Sequence, residues 1–446
     1  MLSKGQAREI VNRLTSCSRN YATVSIKDNG ERLTRFANSE IHQNVEIEDV
    51  IISLTVYGGK KEATCSVNVY DSESLKKLAA DADAILENLP DGEFDISSLK
   101  TFPLAEGVPD TVNDVRLSKA FGIHGRVETV KQLAESLDPD FTAAGVLSLD
   151  CDMRVFGSSD GVFLYHAMDY VNFEAVVTHK DGAAGFGAMI SNTLEGCGDI
   201  SSAFKTACDK AKMSIGPAPA DIGAYTVVLE PAAMAELVSY VAYGLNGKEF
   251  LSGESYASGK LGEKLLGENV TIRDDVNNPL TFQCYFDAEG HRRAPVTLIG
   301  KGVAKTILHD SKTALKAGHR PTGHAVGNRG NGGYPFNLVM EGGDSSLNEM
   351  IASTQRGILV TRFHYTNLVN PAAAQVTGLT RDGTFMIENG KIAYPIRNMR
   401  FTQSMLEAFC HITALSRDRE RIALWGGPGL IPAAKIECFH FTSGQK

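Results

Sequence analysis

Residues 50–89 read VIISLTVYGGKKEATCSVNVYDSESLKKLAADADAILENL and contain two hydrophobic periodicities next to each other. Apolar and polar residues alternate before the Gly58-Gly59 turn and alternate again after it, which predicts a β-hairpin. From residue 72 the apolar side chains recur every three or four positions and stop before Pro90, which predicts a helix. Paired strands followed by a separate helix are typical of α+β proteins.

The same two patterns continue towards the N-terminus. An amphipathic helix is predicted at the start of the chain, and two strands are predicted within residues 21–36 around Asn29-Gly30, a dipeptide typical of hairpins. These segments predict an N-terminal α+β domain over residues 1–100, in which helices flank an antiparallel sheet.

The patterns also continue towards the C-terminus, where two further domains are predicted. Residues 101–220 contain a linker, an amphipathic helix, five short strands in a meander (near 142–150, 152–157, 161–168, 170–179 and 183–191) and another helix. Residues 221–446 are predicted to form a β-rich domain, barrel-like or a sandwich. Its strands are expected near 225–229, 270–273, 282–286, 296–299, 336–340 and 357–363.

Composition limits the classes of function. The 446 residues carry a net charge of −9, so no overall basic field exists to hold a nucleic acid or an anionic membrane. The eight cysteines are widely spaced and indicate reduced thiols rather than a disulfide framework or a zinc ribbon. We therefore expect a cytoplasmic protein. Forty-three glycines exceed the usual 7% of residues and concentrate in the C-terminal half.

Two short segments resemble known catalytic or phosphate-binding motifs, but the residues in and around them argue against both functions. Residues 157–161, GSSDG, match G-x-S-x-G, but strands are predicted on both sides, which favours a hairpin turn over a nucleophile elbow. Residues 253–260, GESYASGK, resemble a phosphate loop but have one residue too many between the glycines, and Leu261 stands where a Mg²⁺-binding hydroxyl is needed.

Histidines give only a weak metal hypothesis. His319 and His324 lie five residues apart in the glycine-rich loop 318–335, where the two rings can converge but are not forced to do so. Whether these two histidines bind a metal stays open, and no metal site is predicted from the residues.

Residues 360–367, VTRFHYTN, form the best cluster of polar side chains. Strand alternation places Arg362, His364 and Thr366 on one face and Phe363, Tyr365 and Asn367 on the other. Either the strand simply buries its aromatic residues, or it lines a cleft where Arg362 binds a carboxylate and His364 handles a proton.

Several long strings resemble the TldD/PmbA family. These are GILVTRFHYTNLVNP (357–371), GLTRDGTFMIENGKIAYPIRNMRFTQSMLEAF (378–409), SGKLGEKLLGENVTIRDD (258–275), RFANSEIHQ (35–43) and SSDGVFLY (158–165). The resemblance implies a peptidase system in which a TldD subunit and a TldE (PmbA) subunit form a hollow dimer that degrades unfolded peptides. An older name for such proteins is modulator of DNA gyrase.

The resemblance also implies a zinc site that this sequence lacks. In TldD-type members a helix carries H-E-x-x-x-H, and a later cysteine completes the metal site. The matching helix here is LEPAAMAELVSYVAYGL (229–245), with Ala235 and Tyr240 at the histidine positions and Glu236 at the position of the base. The late cysteine would fall near 423–426, where no cysteine stands. This departure identifies the chain as a TldE/PmbA-type member lacking HExxxH.

The sequence therefore predicts a subunit of a cytosolic peptidase system, working with a zinc-bearing TldD-type partner or with a second copy of itself. The candidate catalytic residues are Glu236 and His364, and the candidate substrate-binding residues are Arg362, His364, Tyr365 and Asn367. We expect residues 357–367 to offer a free strand edge to which an unfolded peptide adds as a further strand. The alternatives are a non-catalytic peptide-binding homodimer and a hydrolase with a different site around His364.

Overall fold

The computed structural model describes residues 2–109, 111, 113–327 and 329–444. It contains an 8-stranded and an 11-stranded sheet, with helices packed against both. The strands pair mostly antiparallel and the helices occupy separate stretches of chain, so the predicted α+β class is confirmed. No helix in this part of the chain is long and apolar enough to cross a membrane.

The elements are numbered in chain order. The helices are α1 (Lys4–Cys17), α2 (Ser72–Asn88), α3 (Ile96–Leu99), α4 (Arg116–Ala120), α5 (Ile123–Glu135), α6 (Ile200–Met213), α7 (Pro231–Tyr243), α8 (Gly247–Ser252), α9 (Ser311–Ala317), α10 (Leu347–Ala352) and α11 (Met405–Cys410). The strands are β1 (Tyr21–Asp28), β2 (Glu31–Ala37), β3 (Glu40–Ile47), β4 (Val50–Gly58), β5 (Lys61–Val67), β6 (Phe141–Ser158), β7 (Phe163–His179), β8 (Ala184–Ser191), β9 (Gly223–Leu229), β10 (Ile272–Asp274), β11 (Val296–Gly300), β12 (Val303–Ala304), β13 (Leu338–Met340), β14 (Arg356–Asn370), β15 (Gln375–Glu388), β16 (Lys391–Pro395), β17 (Met399–Ser404), β18 (Ile412–Leu424) and β19 (Gly427–Gly444).

The segment with the two periodicities folds as predicted. Strands β4 and β5 form an antiparallel hairpin in which Ile52 pairs with Val67 and Gly58 with Lys61. Helix α2 begins after Asp71, whose carboxylate accepts hydrogen bonds from the backbone N–H groups of Glu73 and Ser74. Its apolar face packs on the first sheet together with α1.

The predicted hairpin at Asn29-Gly30 is wrong, although both of its strands form. Strand β6 is 18 residues long, and β1 and β2 pair with successive parts of its edge instead of with each other. At the junction, the Gly30 carbonyl accepts a hydrogen bond from the Cys151 backbone N–H at 2.8 Å. The Asn-Gly signal therefore marks a short interruption between two strands that run alongside one long partner strand.

The predicted five-strand meander also changes in the structure. It consists of three strands, because β6 and β7 run without a break through Cys151 and Asp169. The turn between them covers residues 159–162, so the interpretation of GSSDG as a hairpin turn is confirmed. This first sheet includes residues from 21 to 191 and crosses the predicted boundary at residue 100, and the three-domain division stays a prediction.

The second sheet closes on itself. The order β9, β14, β15, β17 and β19 returns to β9 through the β19–β9 pairing, which makes a five-stranded barrel. Phe363, Phe401 and Phe439 pack together in its core, and the apolar face of α7 belongs to the same cluster. The strand predicted at 282–286 is wrong, since only an isolated bridge from Phe286 to Arg292 forms there.

Candidate functional site

Helix α7 follows directly on barrel strand β9 and brings Glu236 to the surface. Pro231 occupies the first turn, where its missing N–H costs no hydrogen bond. Most of the helix is apolar and buried, including Ala235, which is 1% exposed. Glu236 is exposed, and its Oε2 accepts a hydrogen bond from Thr366 Oγ1 of β14 at 2.9 Å.

Strand β14 reaches α7 because it bulges at Tyr365. The pairing with β15 shifts between His364 and Asn367, and Tyr365 has a φ of 51° and is 72% exposed. The extra residue turns Thr366 towards the side of Phe363, whereas regular alternation puts Thr366 beside His364. The predicted division of this strand into two faces is therefore wrong beyond His364.

Tyr240 completes a hydrogen-bonded chain with these two residues. Its hydroxyl donates to Thr366 Oγ1 at 3.2 Å, and Thr366 in turn donates to Glu236. Burial first, and the Glu236 charge in addition, raise the pKa of Tyr240, which keeps this phenol protonated as a donor. The chain of donors ends on a carboxylate that is open to solvent.

Aromatic residues from two loops lie beside the hydrogen-bonded chain of Tyr240, Thr366 and Glu236. The Tyr334 and Trp425 rings meet edge to face with centroids 4.6 Å apart, and Trp425 is 74% exposed. Burial first, then Tyr243, Glu236 and Tyr240, raise the pKa of Tyr334 to about 12. Trp425 stands in the stretch that the resemblance aligns with the late cysteine. Sequence reasoning placed Thr366 on the wrong face of β14 and missed Tyr334, for which the lone tryptophan was the one signal available.

Arg362 and His364 belong to a different environment from that of Glu236. The Arg362 guanidinium donates from Nε to Asp382 Oδ2 at 2.8 Å and stacks over the Phe186 ring at 3.9 Å. Any other carboxylate would have to compete with Asp382 for this arginine. Burial first, then Arg381 and Arg362, lower the pKa of His364, which favours the neutral imidazole. No contact between His364 and Glu236 is found among the described residues.

Tyr365 and Asn367 are the most accessible of the predicted binding residues. The Tyr365 ring lies 4.3 Å from the His364 ring, centroid to centroid, and Asn367 Nδ2 donates to the Tyr365 carbonyl at 3.1 Å. Both side chains are exposed on the part of β14 that lies beyond its pairing with β9. Their roles in substrate binding stay predictions.

The expectation of a free strand edge over 357–367 is wrong for its first part. Residues 357–360 pair with β15 on one side and with β9 on the other. From Arg362 onward, β14 pairs with β15 alone among the described residues. A peptide strand therefore has an available edge only beside the bulge.

The two loop histidines lie in different surroundings. The His319 ring faces His309 with centroids 6.0 Å apart, whereas buried His324 lies with Nε2 3.4 Å from Asp274 Oδ1.

The glycine-rich loop is held by Asp310, whose Oδ2 accepts from the Gly332 N–H at 3.0 Å. Gly332 has a φ of 74°, and a Cβ there would lie 2.1 Å from Asn246 Oδ1, so only glycine fits.

The side chains present do not fit a zinc ion. Zinc in proteins is bound by thiolate, imidazole or carboxylate groups, and Ala235 offers a methyl group while the Tyr240 hydroxyl donates to Thr366. Across the described ranges, no group of three or more histidine, cysteine, aspartate or glutamate side chains has metal-binding geometry. No chemical step through a metal held by this chain alone can be derived.

Residues 222–443 match the family model described as PmbA/TldA metallopeptidase C-terminal domain. The chain belongs to the PmbA/TldD metallopeptidase family. The resemblance drawn from the sequence strings is thereby confirmed.

Several of the curated relatives are called metalloproteases. One from Methanothermobacter thermautotrophicus is 27% identical over 225 residues, which are 49% of this chain and 49% of that protein. Metalloprotease PmbA of Escherichia coli O157:H7 is 23% identical over 435 residues, or 90% of this chain and 88% of that protein. The chain spans about half the length of the first curated relatives it matches.

Solved structures share the fold over nearly the whole chain. TldE from Thermococcus kodakarensis superposes with a TM-score of 0.83 at 20% identity, covering 98% of this chain and 100% of that one. A putative modulator of DNA gyrase from Bacteroides thetaiotaomicron gives a TM-score of 0.84 at 21% identity and covers both chains completely. At these identities the likeness establishes the fold.

Proposed function

We propose that this chain is a TldE/PmbA-type subunit of a cytosolic peptidase system that processes or degrades unfolded peptides, and that a metal-bearing TldD-type partner supplies the zinc for cleavage. One observation carries the proposal. Helix α7 presents Glu236 at the position of the base, while a buried methyl group (Ala235) and a hydrogen-bonded phenol (Tyr240) replace the two histidine ligands. The full-length likeness to TldE supports the same assignment.

The binding of unfolded peptides needs contacts that do not depend on sequence. The free edge of β14 beyond Arg362 supplies backbone N–H and C=O groups to an added strand. Tyr365 and Asn367 flank this edge, and the Tyr240–Thr366–Glu236 chain lies on the α7 side of the same strand. In this arrangement the subunit holds and aligns the peptide, and the partner's metal acts on it.

The test is reconstitution with a TldD-type protein from the same genome. The purified chain alone is expected to leave an unfolded peptide intact, and the mixture is expected to cleave it until a chelator removes the metal. A partner whose H-E-x-x-x-H glutamate is changed to glutamine is the matched control and should not cleave. Failure of the intact mixture on several unrelated unfolded peptides contradicts the proposal.

Two other outcomes point to the alternative functions. Tight peptide binding by a dimer of this chain, never converted to cleavage by any partner, favours a non-catalytic peptide-binding homodimer. Turnover by the chain alone that resists chelators and is lost in His364→Ala favours a hydrolase built around His364.

A further inference from the structure

A cleft of about 470 Å³ lies between the first sheet and the β18–β19 turn, and Tyr240, Thr366 and Glu236 are not among the residues that line it. Strands β2, β6, β7 and β8 form one wall, and the turn carrying Trp425 forms the other. A mixed cleft with aromatic walls and a few polar groups is the usual form of a small ligand site.

The floor of the cleft contains a like-charge pair. Glu31 of β2 and Asp150 of β6 are direct cross-strand partners, and both line the cleft. Like charges at directly opposite positions of a sheet destabilise it, since their Cβ atoms are about 5 Å apart. Ser148 Oγ donates to Asp150 Oδ2 at 2.6 Å and satisfies only part of this carboxylate. A cation placed between the two carboxylates relieves the repulsion.

The remaining charges of the lining leave the cleft negative. Arg154 Nε donates to Asp152 Oδ1 at 2.8 Å, so these two charges cancel. Three carboxylates (Glu31, Asp150 and Asp152) against one guanidinium leave a net charge of −2. In addition, the buried Asn172 Oδ1 has no hydrogen-bond donor among the described residues, which leaves an acceptor available.

Aromatic rings complement these acceptors. The Tyr170 and Phe282 rings pack at a tilt with centroids 4.6 Å apart on the inner wall, and the exposed Trp425 ring lies at the mouth. Indole faces attract ammonium and guanidinium groups, and carboxylates accept their hydrogen bonds. Such a lining selects a ligand that is cationic and rich in donors.

We propose that this cleft binds a cationic group, guanidinium or ammonium, carried by a peptide substrate. The inference rests on the proposed function, because it adds a preference for basic side chains or a free N-terminus to peptide handling. It makes the cleft a recognition subsite, with Glu31 and Asp150 as the anionic contacts and Trp425 as the aromatic contact.

The experiment uses the full chain and the fluorescence of Trp425, which is the sole tryptophan. N-acetyl-Gly-Arg-Gly-amide is compared with its citrulline analogue, which has the same shape without the charge. We expect the arginine peptide to bind about tenfold more tightly. Gly-Gly-Gly-amide, with its free amine, tests the N-terminal ammonium as the source of the cation.

The variants Glu31→Gln and Asp150→Asn are expected to reduce the preference for arginine at least fivefold when combined, while Glu31→Asp retains it. Glu40→Gln removes an exposed carboxylate of β3 that does not line the cleft, and it should behave like the wild type. Glu31→Gln alone is the test if the double variant does not fold, because Glu31 is exposed.

Equal affinity for the two peptides, or an unchanged preference in the folded variants, overturns the inference and leaves the proposed function standing. Failure of cleavage with a TldD-type partner overturns the proposed function but does not alter these titrations. The two failures are therefore distinguishable.

Discussion

Thr366 joins helix α7 to strand β14 through two side-chain hydrogen bonds, one from Tyr240 and one to Glu236. Thr366→Val keeps the shape of the side chain and removes both bonds. We expect the free energy of unfolding to fall by about 0.5–1.5 kcal/mol, measured by urea denaturation. Thr413→Val is the control, because Thr413 is exposed on β18 and makes one long bond of 3.4 Å. Equal losses in the two variants contradict a linking role for Thr366.

The effect of Asp150 on the stability of the fold is expected to depend on pH. Burial, reinforced by Glu31 of β2, raises its pKa to about 6, although Ser148 of β6 and Arg126 of α5 act in the opposite direction. Tyr170 of β7 also faces this carboxylate. Because the unfolded carboxyl ionises near pH 4, the folded state holds the extra proton between about pH 4 and 6, and stability falls as pH rises through that window.

Asp150→Asn is therefore expected to raise the free energy of unfolding by about 1–2 kcal/mol at pH 8 and to leave it unchanged near pH 4. Denaturation curves at both pH values measure the effect, and Asp344→Asn at an exposed position serves as control. A loss of stability at pH 8 would show that the carboxylate is satisfied within the fold and does not lack a cation.

Among the elements, β14 owes its geometry to the bulge at Tyr365. A φ of 51° is strained for any side chain with a Cβ and free for glycine. Tyr365→Gly should therefore be more stable than Tyr365→Ala by about 0.5–1 kcal/mol in thermal or urea unfolding. At Ile51, an exposed and regularly paired residue of β4, the order should reverse. The same order at both positions would contradict a left-handed conformation at Tyr365.

Elements with strong local periodicity were predictable from sequence, and those set by distant pairing were not. The residues that predict helix α2 and the β4–β5 hairpin all lie within one stretch of 40 residues. By contrast, the strand with which both β1 and β2 pair is β6, more than 100 residues away, and nothing near Asn29-Gly30 encodes it. Local signals fix where a strand lies but leave its partner open.

The candidate site shows the same limit. Glu236 was located through the family resemblance, and its place on α7 follows from the helical pattern. Thr366 was assigned to the wrong face because a one-residue bulge reverses every later side chain of a strand. The Glu31–Asp150 pair was not found, since its two residues are brought together only by the β2–β6 register.

At the scale of the whole molecule, polar contacts connect the first sheet and its helices to the second sheet. Arg421 of β18 donates to Asn192 Oδ1 at 2.9 Å, and the Lys210 ammonium of α6 contacts the Glu230 carboxylate and donates to Thr361 Oγ1 at 3.0 Å. Lys210 and Glu230 are both largely buried. Removing one partner of such a pair leaves the other charge unpaired in a poorly solvated place.

Lys210→Met is accordingly expected to lower the free energy of unfolding by about 2–4 kcal/mol. The control is Lys205→Met on the same helix, because the ion pair of Lys205 with Asp209 is exposed. This variant should lower the free energy of unfolding by less than about 0.5 kcal/mol. Trp425 fluorescence reports the β18–β19 turn of the second sheet, and far-ultraviolet circular dichroism reports the whole chain. If the Lys210 contact couples the two parts, the two probes give one transition in the wild type and separate transitions in Lys210→Met. Coincident transitions and equal losses in both variants would mean that apolar packing alone holds the parts together.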